Sequence, residues 1–324
     1  MRKKDILIAF LGFGISFILI YSTFKNFDFE IVFPVIKKLK IGFLFTFFIS
    51  TFLEIIFRTL KWYFIILPLK KVDFLKLFKF EVISLGINNI LPFRMGEVAK
   101  MFLLSKNYSL SKTTSLSTVF VERLLDTFIL VGLFLIYSYI GNINLGVNKN
   151  FIILILLLVS ITVFVFFIYI EKILNSSSFS NISVKHPKIY DLIIKIKNGG
   201  LCFKKTYILF LTILSGVVQW NFDFLNNFFI AKSMDINLNY FKSAATVFAG
   251  SLSASIPSMP GYFGNYEYAI SRVMILWQFD KNISVLFPTI IHLLTYILIT
   301  SSALVFIYME KESLRNIFYK LRKE

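Results

Sequence analysis

From its first residues the chain alternates long apolar runs with short polar, mostly basic, joins. A helix needs about 20 apolar residues to cross the hydrocarbon core of a bilayer. Runs of that kind fall near 6–24, 41–66, 115–140, 151–170, 207–231 and 284–308, and each predicts a spanning helix. Segments 74–105 and 241–279 differ: each has a helix-length apolar run, a Pro/Gly break, then a second helical stretch. The first break reads Pro92-Phe-Arg94-Met-Gly96-Glu97. The second reads Pro257-Ser-Met-Pro260-Gly261-Tyr-Phe-Gly264-Asn265-Tyr-Glu267. Hydrocarbon offers the backbone no water, so non-helical backbone at membrane depth is tolerated only when buried in protein or lining a polar cavity. Each segment therefore predicts a re-entrant hairpin that returns to the side it came from.

Positive charge orders these elements across the membrane, because Lys and Arg collect in cytoplasmic loops. With Arg2, Lys3 and Lys4 inside, two re-entrant hairpins leave Lys61, Lys70, Lys71, Lys100, Lys106, Lys112 and the Lys-rich loop 172–206 cytoplasmic. Gly141–Asn150 is then outside, and both termini are inside. Treating the hairpins as crossings would put Lys100–Lys112 and the loop 172–206 outside. The stretch Lys25–Lys40 runs against the rule, partly offset by Asp28 and Glu30. The predicted fold is thus an all-α polytopic membrane protein, with about six full spans plus two hairpins in an inverted-topology repeat. One integral membrane domain, 1–324, divides into a leading helix 1–24, a first repeat 41–170, a cytoplasmic connecting loop 171–206 and a second repeat 207–310.

Composition agrees. Only 16% of 324 residues are charged and 57% are hydrophobic, against about 25% charged in soluble domains. The net charge of +17 is therefore read as a topology signal with contact to anionic head groups, and no nucleic-acid partner is expected. A single Cys and two His, His186 and His292, exclude an intramolecular disulfide and weigh against a metal site. The basic amino terminus leads into a spanning-length run with no small-residue cleavage site, which predicts a retained helix.

Ionisable groups within apolar runs are the candidate chemistry, since at membrane depth they face a partner or a cavity. Glu54, Arg58 and Lys61 lie on one face of the second span with Trp62 beside them, as an ion pair or as a cation offered to a lipid head group. Gln219, Asp223 and Asn226/Asn227 form a polar stripe on span 207–231, near Trp220, that predicts a cavity wall. Glu122, Arg123 and Asp126 put three charges within about a turn. Either they neutralise one another or they meet Arg94 and Glu97. Glu97 to Arg123 and Glu267 to His292 are nearly equal separations, so His292 occupies the place of Arg123 in the second half, as a hydrogen-bonded filler or as a proton carrier.

These residues resemble the membrane (flippase) region of the lysylphosphatidylglycerol synthetase/flippase family. Asn89 through Glu97 is similar to its Asn-x-Leu-Pro-x-Arg-x-Gly-Glu pattern, and Glu122, Arg123 and Asp126 to its Glu-Arg-x-x-Asp. Pro257, Pro260, Gly261, Gly264 and Glu267 follow its second motif, with Tyr262 replacing a Gly. Arg58-Thr-Leu-Lys61-Trp62 looks like its Arg-x-x-Arg-Trp, and His292 stands where relatives often carry Arg. The resemblance covers nearly the whole chain. No soluble aminoacyl-transferase region follows before Glu324, so it points to a stand-alone member without catalytic or cofactor-binding motifs. Any synthase chemistry would come from a separate lipid-modifying enzyme.

The expected activity is movement of an anionic or aminoacylated phospholipid, or of a lipid-linked amphiphile, between leaflets of the cell membrane. Arg58, Arg94, Arg123, Asp223 and Glu267 would line a polar groove between the hairpins. Asn89, Glu97, Glu122, Asp126, Asn265 and His292 join them as candidate binding residues, with Pro92, Gly96, Pro257, Pro260, Gly261 and Gly264 forming the breaks. The alternative is a membrane-embedded component of polyprenyl-phosphate-dependent glycosylation or lipid modification, which the lack of an acidic metal-binding pair disfavours.

Overall fold

A computed structural model describes residues 3–143, 187–256 and 258–310, with a few positions between 154 and 169. The predicted span 151–170, most of the Gly141–Asn150 loop, 171–186 and Pro257 lie outside the described residues.

Among the described residues the chain is all helical. The helices are α1 (Lys3–Phe24), α2 (Val32–Lys37), α3 (Ile41–Ile66), α4 (Phe74–Ile90), α5 (Met95–Tyr108), α6 (Lys112–Ile140), α7 (Pro187–Gly199), α8 (Thr206–Ser233), α9 (Tyr240–Ser253), α10 (Asn265–Leu276) and α11 (Lys281–Met309). Side-chain caps set several starts. Asp73 accepts the Lys76 N–H at 2.8 Å, Ser111 that of Thr114 at 3.0 Å, Asn239 that of Lys242 at 2.8 Å and Asp280 that of Ile283 at 3.0 Å.

Among the described residues three helices, α3, α8 and α11, are long and apolar enough to cross a membrane. Large apolar side chains such as Ile41, Phe45, Phe52, Tyr207, Phe210 and Ile297 point outward from them. In water such a surface would drive aggregation, whereas in lipid it needs no cover. The molecule is a membrane protein. α6 spans 29 residues but carries Glu122, Arg123 and Asp126 mid-length.

The longest contact is between α3 and α8. They run antiparallel: the Lys40 N–H donates to Ser233 O at 3.1 Å near one end, and Lys61 meets Gln219 further along. Several of the other contacts come in matched pairs. α4 packs on α5 as α9 packs on α10, and α5 on α6 as α10 on α11. α4 rests against α11, and α9 against α6. α1 braces the second half: the Ser16 hydroxyl donates to Asn265 Oδ1 at 3.2 Å and accepts the Met259 N–H at 2.9 Å.

The connecting segment corrects the sequence reading of an irregular loop. α7 lies within it and packs along α6, where the Ser117 hydroxyl donates to Ile196 O at 2.7 Å.

Candidate functional site

Both Pro/Gly segments interrupt helices as expected. α4 stops where Leu91 turns extended ahead of Pro92, as the residue before a proline prefers. Phe93 and Arg94 then take left-handed backbone (φ 61° and 52°) and α5 begins. Gly96 lets α5 fold back onto α4. Its N–H donates to Asn88 Oδ1 at 2.8 Å, and a Cβ there would meet Ser84 O at 1.9 Å. In the second half a 3₁₀ turn, Pro260–Tyr262, holds Gly261 at φ 71°, and Gly264 at φ 87° opens α10. Glu267 Oε2 accepts the Gly264 N–H at 2.7 Å.

The two breaks face each other across a cavity of about 250 Å³. Asn88, Pro92, Phe93 and Arg94 line one side; Ala254, Ser255, Ser258 and Gly261 are among those on the other. Arg94 reaches over to donate to Ala254 O at 3.1 Å and lies 5.9 Å from the Tyr262 ring. Of the five groups expected on one groove, Arg94 alone is on this wall.

Behind Arg94 the charges form a chain. Glu97 lies 3.6 Å from Arg94 and 2.9 Å from Arg123 Nε, and Arg123 is 3.5 Å from Asp126. Asp126 is ion-paired with Lys61, which also donates to Gln219 at 2.6 Å and lies 3.7 Å from Glu122. Glu122 accepts from Lys100 at 2.6 Å, and Lys100 pairs with Glu81 as well. Lys100 also sits 4.1 Å over the Trp62 ring, a cation–π contact. The Glu122 turn therefore does both things the sequence allowed: it pairs internally, and it meets Glu97.

Two residues depart from the topology count. Lys61 and Lys100, read as cytoplasmic charges, are wholly buried. Their carboxylate partners make that burial tolerable, because an ammonium without one would cost several kcal/mol.

A second cluster is built by α10 and α11. His292 Nδ1 meets Glu267 Oε1 at 2.5 Å, with the rings of Phe263 and Tyr266 at 4.5 and 4.9 Å. The nearly equal sequence separations thus correspond to similar contacts, Glu97–Arg123 and Glu267–His292. Between the clusters, Arg58 donates to Glu54 at 3.0 Å and Asn226 donates to the other oxygen of Glu54 at 3.2 Å. Asn227 donates to Thr246 at 2.9 Å. The predicted polar stripe on α8 is therefore mostly spent on helix packing. Asp223 is the exception: half-buried, it has no hydrogen bond or ion pair among the described residues, and the charges acting on it are those of Glu54, Arg58 and Asp126. Asn89 donates to Thr300 at 3.0 Å, and Asn265 is buried against Ser16 and Ser253. Both brace the fold beside the breaks.

The chain matches the lysylphosphatidylglycerol synthase TM region over residues 9–303. It belongs to that family. A UPF0104 membrane protein of Methanocaldococcus jannaschii is 25% identical over 231 residues, covering 71% of this chain and 97% of that protein. No solved structure matches. In this member of the lysylphosphatidylglycerol synthase TM region family, sequence reasoning missed Glu81, Lys100 and Asn88 as site residues. Glu81 was visible as a carboxylate inside the apolar run Leu77–Ile83, where a buried partner is the default expectation. Lys100 was hidden by its closeness to the true loop cations.

Proposed function

We propose that this chain is a flippase-like transporter that moves an anionic phospholipid or a lipid-linked amphiphile between leaflets. In this reading α4–α5 and α9–α10 are re-entrant hairpins of an inverted repeat, both termini are cytoplasmic, and the protein works in the cell membrane. The observation that carries it is the cavity between the two breaks with Arg94 on its wall. The matched helix contacts support it further, since one repeat rocking against the other would open such a cavity to either side.

Arg94 is the head-group contact. Its side chain is 38% exposed and it holds Glu97 at only 3.6 Å, so its guanidinium can turn to a phosphate with two parallel hydrogen bonds. Glu97 then remains with Arg123, so no buried carboxylate is left alone. The acyl chains stay in the bilayer.

The test reconstitutes the full chain in liposomes with NBD-labelled phosphatidylglycerol and follows bleaching by external dithionite. Wild-type protein should expose inner-leaflet label faster than empty liposomes. Arg94→Gln removes the contact, and Arg94→Lys keeps the charge but loses the planar fork. Each should stay folded and slow translocation on the order of tenfold, the worth of one charged hydrogen bond. Unchanged rates in both folded variants would overturn the reading.

A further inference from the structure

A second cavity, of about 140 Å³, lies where α1 ends and α11 begins. It is several times the roughly 30 Å³ that one water takes up, so a phosphate group fits. Ser22, Tyr268, Ser271, Arg272 and Lys281 are on its walls. Neither Arg272 nor Lys281 has a carboxylate within ion-pair distance among the described residues. Arg272 lies 5.1 Å from the Tyr268 ring, which orients its guanidinium. Two carboxylates at this end serve as caps, Asp28 accepting the Glu30 N–H at 2.9 Å and Asp280 that of Ile283 at 3.0 Å, while Glu30 is exposed. The Ser271 hydroxyl donates to its own helix, while those of Ser22 and Tyr268 have no hydrogen-bond partner among the described residues. The cavity thus presents two cations and two hydroxyl donors.

Its surroundings indicate the source of the anion. Ile18 and Tyr21 on α1, and Ile275 and Leu276 on α10, are exposed apolar side chains at the same end. Ile275 is itself on the cavity wall. Free phosphate has no use for that surface, whereas acyl chains do. Basic pockets between membrane helices can hold anionic lipid head groups.

We propose that this cavity binds the phosphate group of an anionic phospholipid whose acyl chains lie along α1 and α10. The site needs no transport and stands whether or not the chain moves lipid.

Native mass spectrometry of the purified full chain, titrated with phosphatidylglycerol or phosphatidylcholine of equal chain length, tests it. Wild-type protein should retain phosphatidylglycerol in preference. The Arg272→Gln/Lys281→Gln double variant should lose affinity on the order of tenfold, as expected for two head-group cations. A control that removes equal charge from the end of α2 and its C-cap, Lys37→Gln/Lys38→Gln, should retain it. Both target residues are exposed, so folding should survive. If the double variant fails to fold, the single variants should each show a partial loss. The proposal is overturned if the variants and wild type bind alike, if the control loses affinity equally, or if inorganic phosphate alone displaces the lipid.

Discussion

Glu122 lies between two ammonium groups, Lys61 and Lys100, and all three side chains are fully buried. Glu122→Gln keeps the shape but leaves both lysines one carboxylate short. It should cost about 3–5 kcal/mol, the usual penalty for removing one partner of a buried pair, seen as a large fall in thermal unfolding midpoint in detergent. Asp223→Asn should leave that midpoint nearly unchanged, because Asp223 leaves no partner behind. Equal losses in the two variants would contradict the ion-pair assignment. The Glu122-Arg123-Asp126 turn was legible as a charge cluster in need of partners, from three charges in an apolar helix. Its partners were harder to see. Lys61 is 65 positions from Asp126, and nothing local distinguishes a lysine that will be buried from one that marks a cytoplasmic loop.

At the scale of elements, helix positions followed from apolar run length and the breaks from Pro and Gly. The segments 41–66, 74–105 and 241–279 matched α3, α4–α5 and α9–α10 closely, because these signals act within a few residues. α7 was missed because Pro187–Gly199 mixes lysines with isoleucines, and it is settled by packing on α6. The tightness of the α4–α5 turn was not legible either, since the clash at Gly96 is with Ser84 on the preceding helix. Gly96→Ala would push a methyl to 1.9 Å from a backbone oxygen. That overpacking should cost about 1–3 kcal/mol or more. Gly132 in α6 has nothing within 4 Å of where a Cβ would sit, so Gly132→Ala should be neutral or stabilise by up to about 1 kcal/mol. Circular-dichroism melts of the pair check the contrast.

For the whole molecule orientation is directly testable, because the protein carries a convenient silent background. Cys202 is wholly buried, and burial pushes its thiol up to about 12, so it should ignore maleimide at neutral pH. A cysteine introduced at Tyr190 should then react with impermeant maleimide only from the cytoplasmic side, and reaction only from outside would sink the proposed topology. The buried ion chain also bears on how the protein reaches the membrane. Ionised groups at a helix centre cost about 2.5–3.5 kcal/mol each on insertion scales, so α6 is poorly suited to insert alone. Its counter-ions, Lys61 and Lys100, belong to segments made earlier. During synthesis Lys100 can settle against Glu81, but the carboxylates that pair with Lys61 among the described residues, Glu122 and Asp126, arrive only with α6. The growing chain would therefore hold α3 at the edge of the translocon until α6 emerges, and the two would leave for the lipid together.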